Sequence, residues 1–89
     1  MKNIIPAGWV EDGNNLRQDF KFDDFKIAFD FMRRVAVVAE RINHHPDWSN
    51  SYNKVSIILT THDAGGVTEQ DLALARRINE IAHNLNELT

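Results

Sequence analysis

Two adjacent histidines, His44 and His45, stand just before Pro46, and a third, His62, closes the stretch NHHPDWSNSYNKVSIILTTH. An imidazole with its unperturbed pKa of about 6.5 holds both protonation states near neutral pH. Several in one pocket can therefore donate one proton and accept another in the same turnover. A zinc site is the first alternative, because three histidines can make an open catalytic centre. Adjacent residues seldom chelate one ion side by side, however, and the chain has no i, i+4 histidine pair. No metal is assigned. Nucleophilic catalysis has less behind it still, since there is no cysteine and no serine in a recognisable elbow. The plain alternative is that these are surface or loop-capping histidines.

The elements around them decide whether the imidazoles can meet. GWVEDGNNLRQDFKF reads as a β-hairpin, with Trp9 to Glu11 and Leu16 to Phe22 joined by Asp12-Gly13-Asn14-Asn15. Leu16, Gln18, Phe20 and Phe22 fall on one side of the second strand, and Arg17, Asp19 and Lys21 on the other. Asp23 is the expected N-cap of a helix from about Asp24 to Asn43, stopped by Pro46 and the residues before it. On it Phe25, Ala28, Phe29, Met32, Val35, Ala36, Ala39 and Ile42 share a face that Ile27, Phe31 and Val38 widen. One sheet cannot cover so broad an arc, which implies a second buried contact from a partner subunit or a neighbouring helix.

WSNSY and KVSIILTTH then read as two strands around a turn near Asn53. Antiparallel pairing about that turn sets His62 opposite His44 or His45, so the three histidines are expected to converge at a sheet rim. Thr68 with Asp71 three residues on resembles a capping box for a last helix, Glu69 to about Leu88. Its seam of Leu74, Ile78, Ile81, Leu85 and Leu88 suits either the chain's own sheet or an oligomer interface. The expected fold is α+β, a four-stranded antiparallel sheet with two long helices on one face, in the order ββαββα.

Size and charge narrow the class. The 89 residues suit a single domain, 1–89, and at that length a monomer buries only about 60 to 65% of its unfolded surface, which favours self-association. The formal charge of −3, with acids and bases interspersed, gives no footprint for nucleic acid or anionic lipid. The absence of cysteine excludes a disulfide framework. MKNIIPAGW has too short an apolar run for a signal peptide, and no stretch could span a bilayer, so a cytoplasmic location is expected.

The stretch AERINHHPDWSNSYNKVSIILTTHDAGGVTEQD, from Ala39 to Asp71, resembles the signature of the pterin-4a-carbinolamine dehydratases. A histidine pair precedes proline, YNKV follows an aromatic residue, a third histidine ends the strand, and an aspartate opens the last helix. The likeness extends through GWVEDG and FKFDDFKIAFDFMRRVA and so covers nearly the whole chain. It implies a hydro-lyase that dehydrates 4a-hydroxytetrahydropterin to quinonoid dihydropterin without metal or organic cofactor, recycling the pterin used by aromatic amino acid hydroxylases. By the same resemblance His44 and His62 are the proton-transfer pair and His45 orients the pterin. Thr61, Asp63 and Ala64 line the pocket, with Pro46 and Trp48 on the opposite wall.

Supporting parts fall to Glu40, one helical turn before His44 and able to orient its ring, and to Asp71, which could polarise the site as well as cap. An exposed helix glutamate, a capping aspartate and a core tryptophan at Trp48 are the ordinary alternatives. His83, on the polar side of the last helix, is given no role. Many relatives carry a helix ahead of the position of Trp9, where this chain has eight residues, so that element is expected to be absent or reduced to a turn. Many also have a basic residue where Gln70 stands. The family further implies a homodimer or homotetramer, and some members act without catalysis, as dimerisation cofactors of a transcription factor or as assembly factors. That is the competing function.

Overall fold

Aspartate at Asp24, not Asp23, starts the first helix. The computed structural model describes residues 4–88, with side chains through Asn86. In it Asp24 is extended (φ −153°, ψ 179°) and its carboxylate accepts the Ile27 N–H at 2.9 Å, the geometry of an N-cap. Either of two adjacent aspartates could have capped; the helix begins one residue later than the hydrophobic pattern indicates. In chain order the elements are β1 (Val10–Asp12), β2 (Asn15–Lys21), α1 (Phe25–Ile42), β3 (Asp47–Ser51), β4 (Lys54–Leu59), a 3₁₀ turn (His62–Ala64) and α2 (Glu69–Leu88). Trp9 and Phe22, expected in the hairpin strands, flank them instead, buried in the core.

All strand pairs are antiparallel, in the order β1-β2-β4-β3, so β4 lies in the interior of the sheet. Leu16, Val55, Ile57 and Leu59 are buried on one face, while Arg17, Asp19 and Lys21 are exposed on the other. Both helices cover the buried face, completing the α+β architecture. Along α2, Leu74, Ile78 and Leu85 are buried and Ile81 packs against the core, so the seam is covered within the chain itself. The side chain of Leu88 lies outside the described residues.

The buried stripe of α1 is centred differently from the expected one. Ala28, Phe31, Val35, Val38 and Ala39 are buried, with Ile27 and Met32 partly so, whereas Phe25, Phe29, Ala36 and Ile42 are exposed. The sheet and α2 approach from the Phe31 side, where Phe31 meets Phe20 and Phe22 at centroid distances of 4.9 and 4.8 Å. Part of the broad apolar arc is thereby left on the surface.

Before β1, residues 7 and 8 form a turn. A polar knot that patterning did not reveal fixes it. The Trp9 indole N–H and the Gln18 amide both donate to Asn79 Oδ1, at 2.9 and 3.2 Å, and Asn79 Nδ2 donates to the Ala7 carbonyl at 2.9 Å. Gly8 takes φ 85° in that turn, and any Cβ there would collide with Gln18 Oε1.

Candidate active site

Helix α1 delivers the histidine pair by ending abruptly. Asn43 adopts the left-handed conformation (φ 55°, ψ 44°), and the His44 N–H returns to the Ala39 carbonyl at 3.0 Å, a C-terminal motif in which asparagine is favoured after glycine. The chain then turns through Pro46 into β3. From the other side β4 stops at Leu59, and the following residues close a small loop: Thr61 and Gly66 exchange backbone hydrogen bonds of 2.9 and 3.3 Å. Within the loop His62 begins the 3₁₀ turn, and Gly65 closes it at φ 74°. Cross-strand pairing therefore ends before His62. It reaches the site through this loop and not by facing His44 or His45 across a ladder.

Asp71 ties the two halves together. Its residue is completely buried, 0% exposed, and its carboxylate receives three donors. Oδ2 accepts the Thr68 N–H and the Thr61 hydroxyl, each at 2.8 Å, and Oδ1 accepts His44 Nε2–H at 2.6 Å. Thr68 Oγ1 in turn accepts the Gln70 N–H at 3.3 Å, completing the cap. Because Thr61 gives its only hydroxyl proton to Asp71, the 2.7 Å contact between Thr68 and Thr61 must run from Thr68 O–H to Thr61 Oγ1. The carboxylate can only accept, so neutral His44 carries its proton on Nε2 and its lone pair on Nδ1.

His45 is exposed and lies 2.9 Å from Glu40 Oε1, itself 81% exposed at the side chain. Glu40 thus accompanies His45 and not His44, since the left-handed turn at Asn43 takes His44 off the helical path. A cavity of about 430 Å³ gathers Asn43, His44, His45, Thr60, Thr61, His62, Asp63 and Gln70. Pro46, Trp48 and Ala64 are not among its walls. Trp48 pairs with Ile57 on the helix-covered face and packs against the core. Asn43 and Thr60 were missed, although an asparagine ending a helix and the register beside His45 were signals for both.

A depression of about 500 Å³ lies elsewhere, along α1 at Asp24, Lys26, Ile27, Phe29, Asp30 and Arg33. It holds no imidazole, and its Asp30 is engaged by Arg33 and Arg34. Among the described residues, no three His, Cys, Asp or Glu side chains form a metal-binding group, and no helix is long and apolar enough to cross a membrane.

Residues 1–81 match the family model described as pterin 4 alpha carbinolamine dehydratase. A Synechococcus sp. protein (strain WH7803) provisionally named pterin-4-alpha-carbinolamine dehydratase is 51% identical over 81 residues, covering 91% of this chain and 86% of its own. One from Prochlorococcus marinus (strain NATL2A), named likewise, is 49% identical over 76 residues, 85% of this chain and 80% of its own. Among solved structures, a transcriptional coactivator/pterin dehydratase from Brucella melitensis superposes with a TM-score of 0.84 at 45% identity, over 85% of this chain and 83% of that one. The fold is shared also with a pterin dehydratase-like RuBisCO assembly factor of the alpha-carboxysome, at TM-score 0.74 and 24% identity over 85% of this chain and 90% of that one.

Proposed function

Because the chain belongs to the pterin-4-alpha-carbinolamine dehydratase family, we propose that it dehydrates 4a-hydroxytetrahydropterin to quinonoid dihydropterin and water by histidine general acid–base catalysis, in tetrahydropterin recycling. The C4a–O bond breaks as the hydroxyl takes a proton and leaves as water. The N5–H bond breaks as the C4a–N5 double bond forms. An acid and a base are thus needed on one edge of the substrate, each contributing on the order of 10² to 10⁴-fold.

The observation that carries this reading is the cavity in which one imidazole, anchored on a buried carboxylate, meets two that are not buried. His44 takes the N5 proton on Nδ1, and Asp71 stabilises the imidazolium that results. His62 gives its proton to the departing hydroxyl. Solvent in the open cavity then carries a proton from His44 back to His62, and the cycle closes with no net change. His45 hydrogen-bonds the pterin and orients it. Asp63 and Thr61 lie on the same wall. No step requires a metal or an organic cofactor.

A second reading is a non-catalytic dimerisation or assembly cofactor. It draws on the exposed side of α1, where Phe25 and Phe29 stand 5.7 Å apart between ring centroids. A second copy of the chain would cover these residues in a homodimer or homotetramer, as would a foreign helix. Dehydration of 4a-hydroxytetrahydropterin followed by ultraviolet absorbance separates the two, with chelator-treated wild type compared with His62→Ala and His44→Ala/His62→Ala. Chelator-resistant acceleration by wild type, lost in a folded His62→Ala protein, is the expected result. A folded wild type that accelerates nothing would leave the interaction reading in its place.

A further inference from the structure

Thr61 stands in the wall of the histidine cavity, yet both of its donors are engaged within the protein. Its N–H donates to the Gly66 carbonyl at 2.9 Å, and its hydroxyl donates to Asp71 Oδ2 at 2.8 Å. Its carbonyl accepts the Ala64 and Gly66 N–H groups, at 3.1 and 3.3 Å, which closes the loop of residues 62–65 on itself. The loop is thus a preformed unit whose placement depends on what holds its neck. On the sheet side the Thr60 hydroxyl donates to the Asn14 carbonyl at 2.7 Å. On the α2 side the attachment is the Thr61 hydroxyl, which lies between Thr68 and Asp71. Thr68 O–H donates to Thr61 Oγ1, so the Thr61 proton has one direction left, toward the carboxylate.

His62 depends on such a hold more than the other two imidazoles do. His44 is anchored on Asp71 and His45 lies against Glu40, whereas among the described residues no hydrogen bond or ion pair holds the His62 ring. Its place is set by its backbone, and so by Thr61. We infer that Thr61 is a positioning residue: its hydroxyl moors the His62 loop to the same carboxylate that anchors His44, which sets the spacing of the two imidazoles. The inference rests on the dehydration proposed above, in which His44 takes the N5 proton and His62 protonates the hydroxyl on C4a. Those two groups sit on bonded atoms, so the substrate fixes the separation that the imidazoles must keep. Along the chain His44 and His62 are parted by the whole β3–β4 hairpin. Through Asp71 they are joined by hydrogen bonds of 2.6 and 2.8 Å and one peptide bond. Asp71 is wholly buried, so water does not compete for its oxygens, and both bonds are charge-assisted.

The test compares Thr61→Val, which keeps the branched shape and removes the hydroxyl, with Thr61→Ser, which keeps the hydroxyl. In Thr61→Val the kcat of dehydration should fall by up to about 10²-fold, the scale of a misplacement of roughly 1 Å. Calorimetric affinity for 6-methyl-7,8-dihydropterin should stay unchanged, because neither donor of Thr61 is free for a ligand. Thr61→Ser should keep most of the wild-type rate. Backbone ¹⁵N order parameters of residues 62–65 should be about 0.85 in wild type and Thr61→Ser and drop toward about 0.6 in Thr61→Val. Lost stability alone does not produce that change in a folded protein. Should Thr61→Val fail to fold, Thr61→Cys, whose thiol is a weak donor, takes its place with a smaller effect of the same sign. A normal kcat in the folded valine variant, an equal loss in Thr61→Ser, or a loss confined to affinity would each overturn the inference. A wild type that accelerates nothing would take down the dehydration reading, while residues 62–65 as rigid in Thr61→Val as in wild type would overturn the mooring whether or not the protein turns over a pterin.

Discussion

Replacing Asp71 by asparagine separates its two duties, because the side chain keeps its shape and loses one acceptor. The Thr68 N–H is a fixed backbone donor and demands an oxygen at the Oδ2 position, where the Thr61 hydroxyl also arrives. The amide oxygen of Asp71→Asn must occupy that place, which turns its NH₂ toward His44. Two donors then face each other across what was a 2.6 Å hydrogen bond. The relief open to His44 is to move its proton to Nδ1 and accept the amide N–H on Nε2, and the Nδ1 lone pair that the proposed mechanism uses is lost.

Stability should fall by about 1 to 3 kcal/mol, since the fully buried charge-assisted hydrogen bonds become neutral ones with no water to compensate. A domain of ordinary stability, about 5 to 15 kcal/mol, stays folded. Turnover should fall much further, by about 10² to 10⁴-fold, as expected when a catalytic imidazole is held in the wrong tautomer. Urea unfolding measures the first quantity, the dehydration rate the second, and ¹⁵N shifts of the His44 ring report which nitrogen is protonated. Near-normal turnover by the folded variant would reduce Asp71 to a helix cap. A large rate loss with the proton still on Nε2 would refute the tautomer argument specifically.

Two further perturbations address the scaffold. Asn79→Ala removes the acceptor shared by Trp9 and Gln18 and the donor to the Ala7 carbonyl, so the urea midpoint should drop by the equivalent of about 1 to 3 kcal/mol; a shift within error would mean the knot is dispensable. Asp30 is held below the usual carboxylate range by the hydrogen bond from Arg33, aided by the nearby charge of Arg34 and opposed by partial burial. A lowered folded pKa gives stability that is present above the unfolded value, about 3.9, and is lost as pH falls through the folded one. Asp30→Asn should therefore be less stable than wild type at neutral pH and converge with it on acidification, as followed by urea midpoints; a gap that widens toward low pH contradicts the assignment.

Element order, the α2 cap at Thr68 and the covered face of the sheet were all legible in the sequence, because each rests on periodicity or on a local signature. Features that depend on where the chain turns in space were not. The left-handed residue at Asn43 redirects Glu40 from His44 to His45, and helical spacing cannot anticipate an element's last residue. Trp48 had two readings, core packing from its place in a strand and a pocket wall from the family resemblance, and its register with Ile57 sets it on the core face. Asp71 had two explanations in sequence, a cap and a part in the site; one of its oxygens accepts the Thr68 N–H of the cap and the other meets His44, since a carboxylate has two oxygens. The Asn79 knot joins residues far apart in sequence through side chains that no pattern links.

Stability and chemistry weigh differently on the three histidines, and the difference locates the argument for catalysis. His44 has a structural reason to exist, because without it Oδ1 of a wholly buried carboxylate would lose its donor, at a cost of about 1 to 3 kcal/mol. A protein that only bound partners would keep it for that reason alone. His45 and His62 have no such excuse. The contact of His45 with Glu40 is exposed at both ends and contributes little, and His62 is an exposed residue of a short turn. Neither adds to the core, yet both border the cavity that the anchored imidazole also lines. The proposed dehydration gives all three a part, two in proton transfer and His45 in orienting the pterin, whereas an interaction surface on the exposed side of α1 accounts for one. The decisive residue is consequently His62, whose removal should leave the unfolding midpoint where it was and take the turnover away.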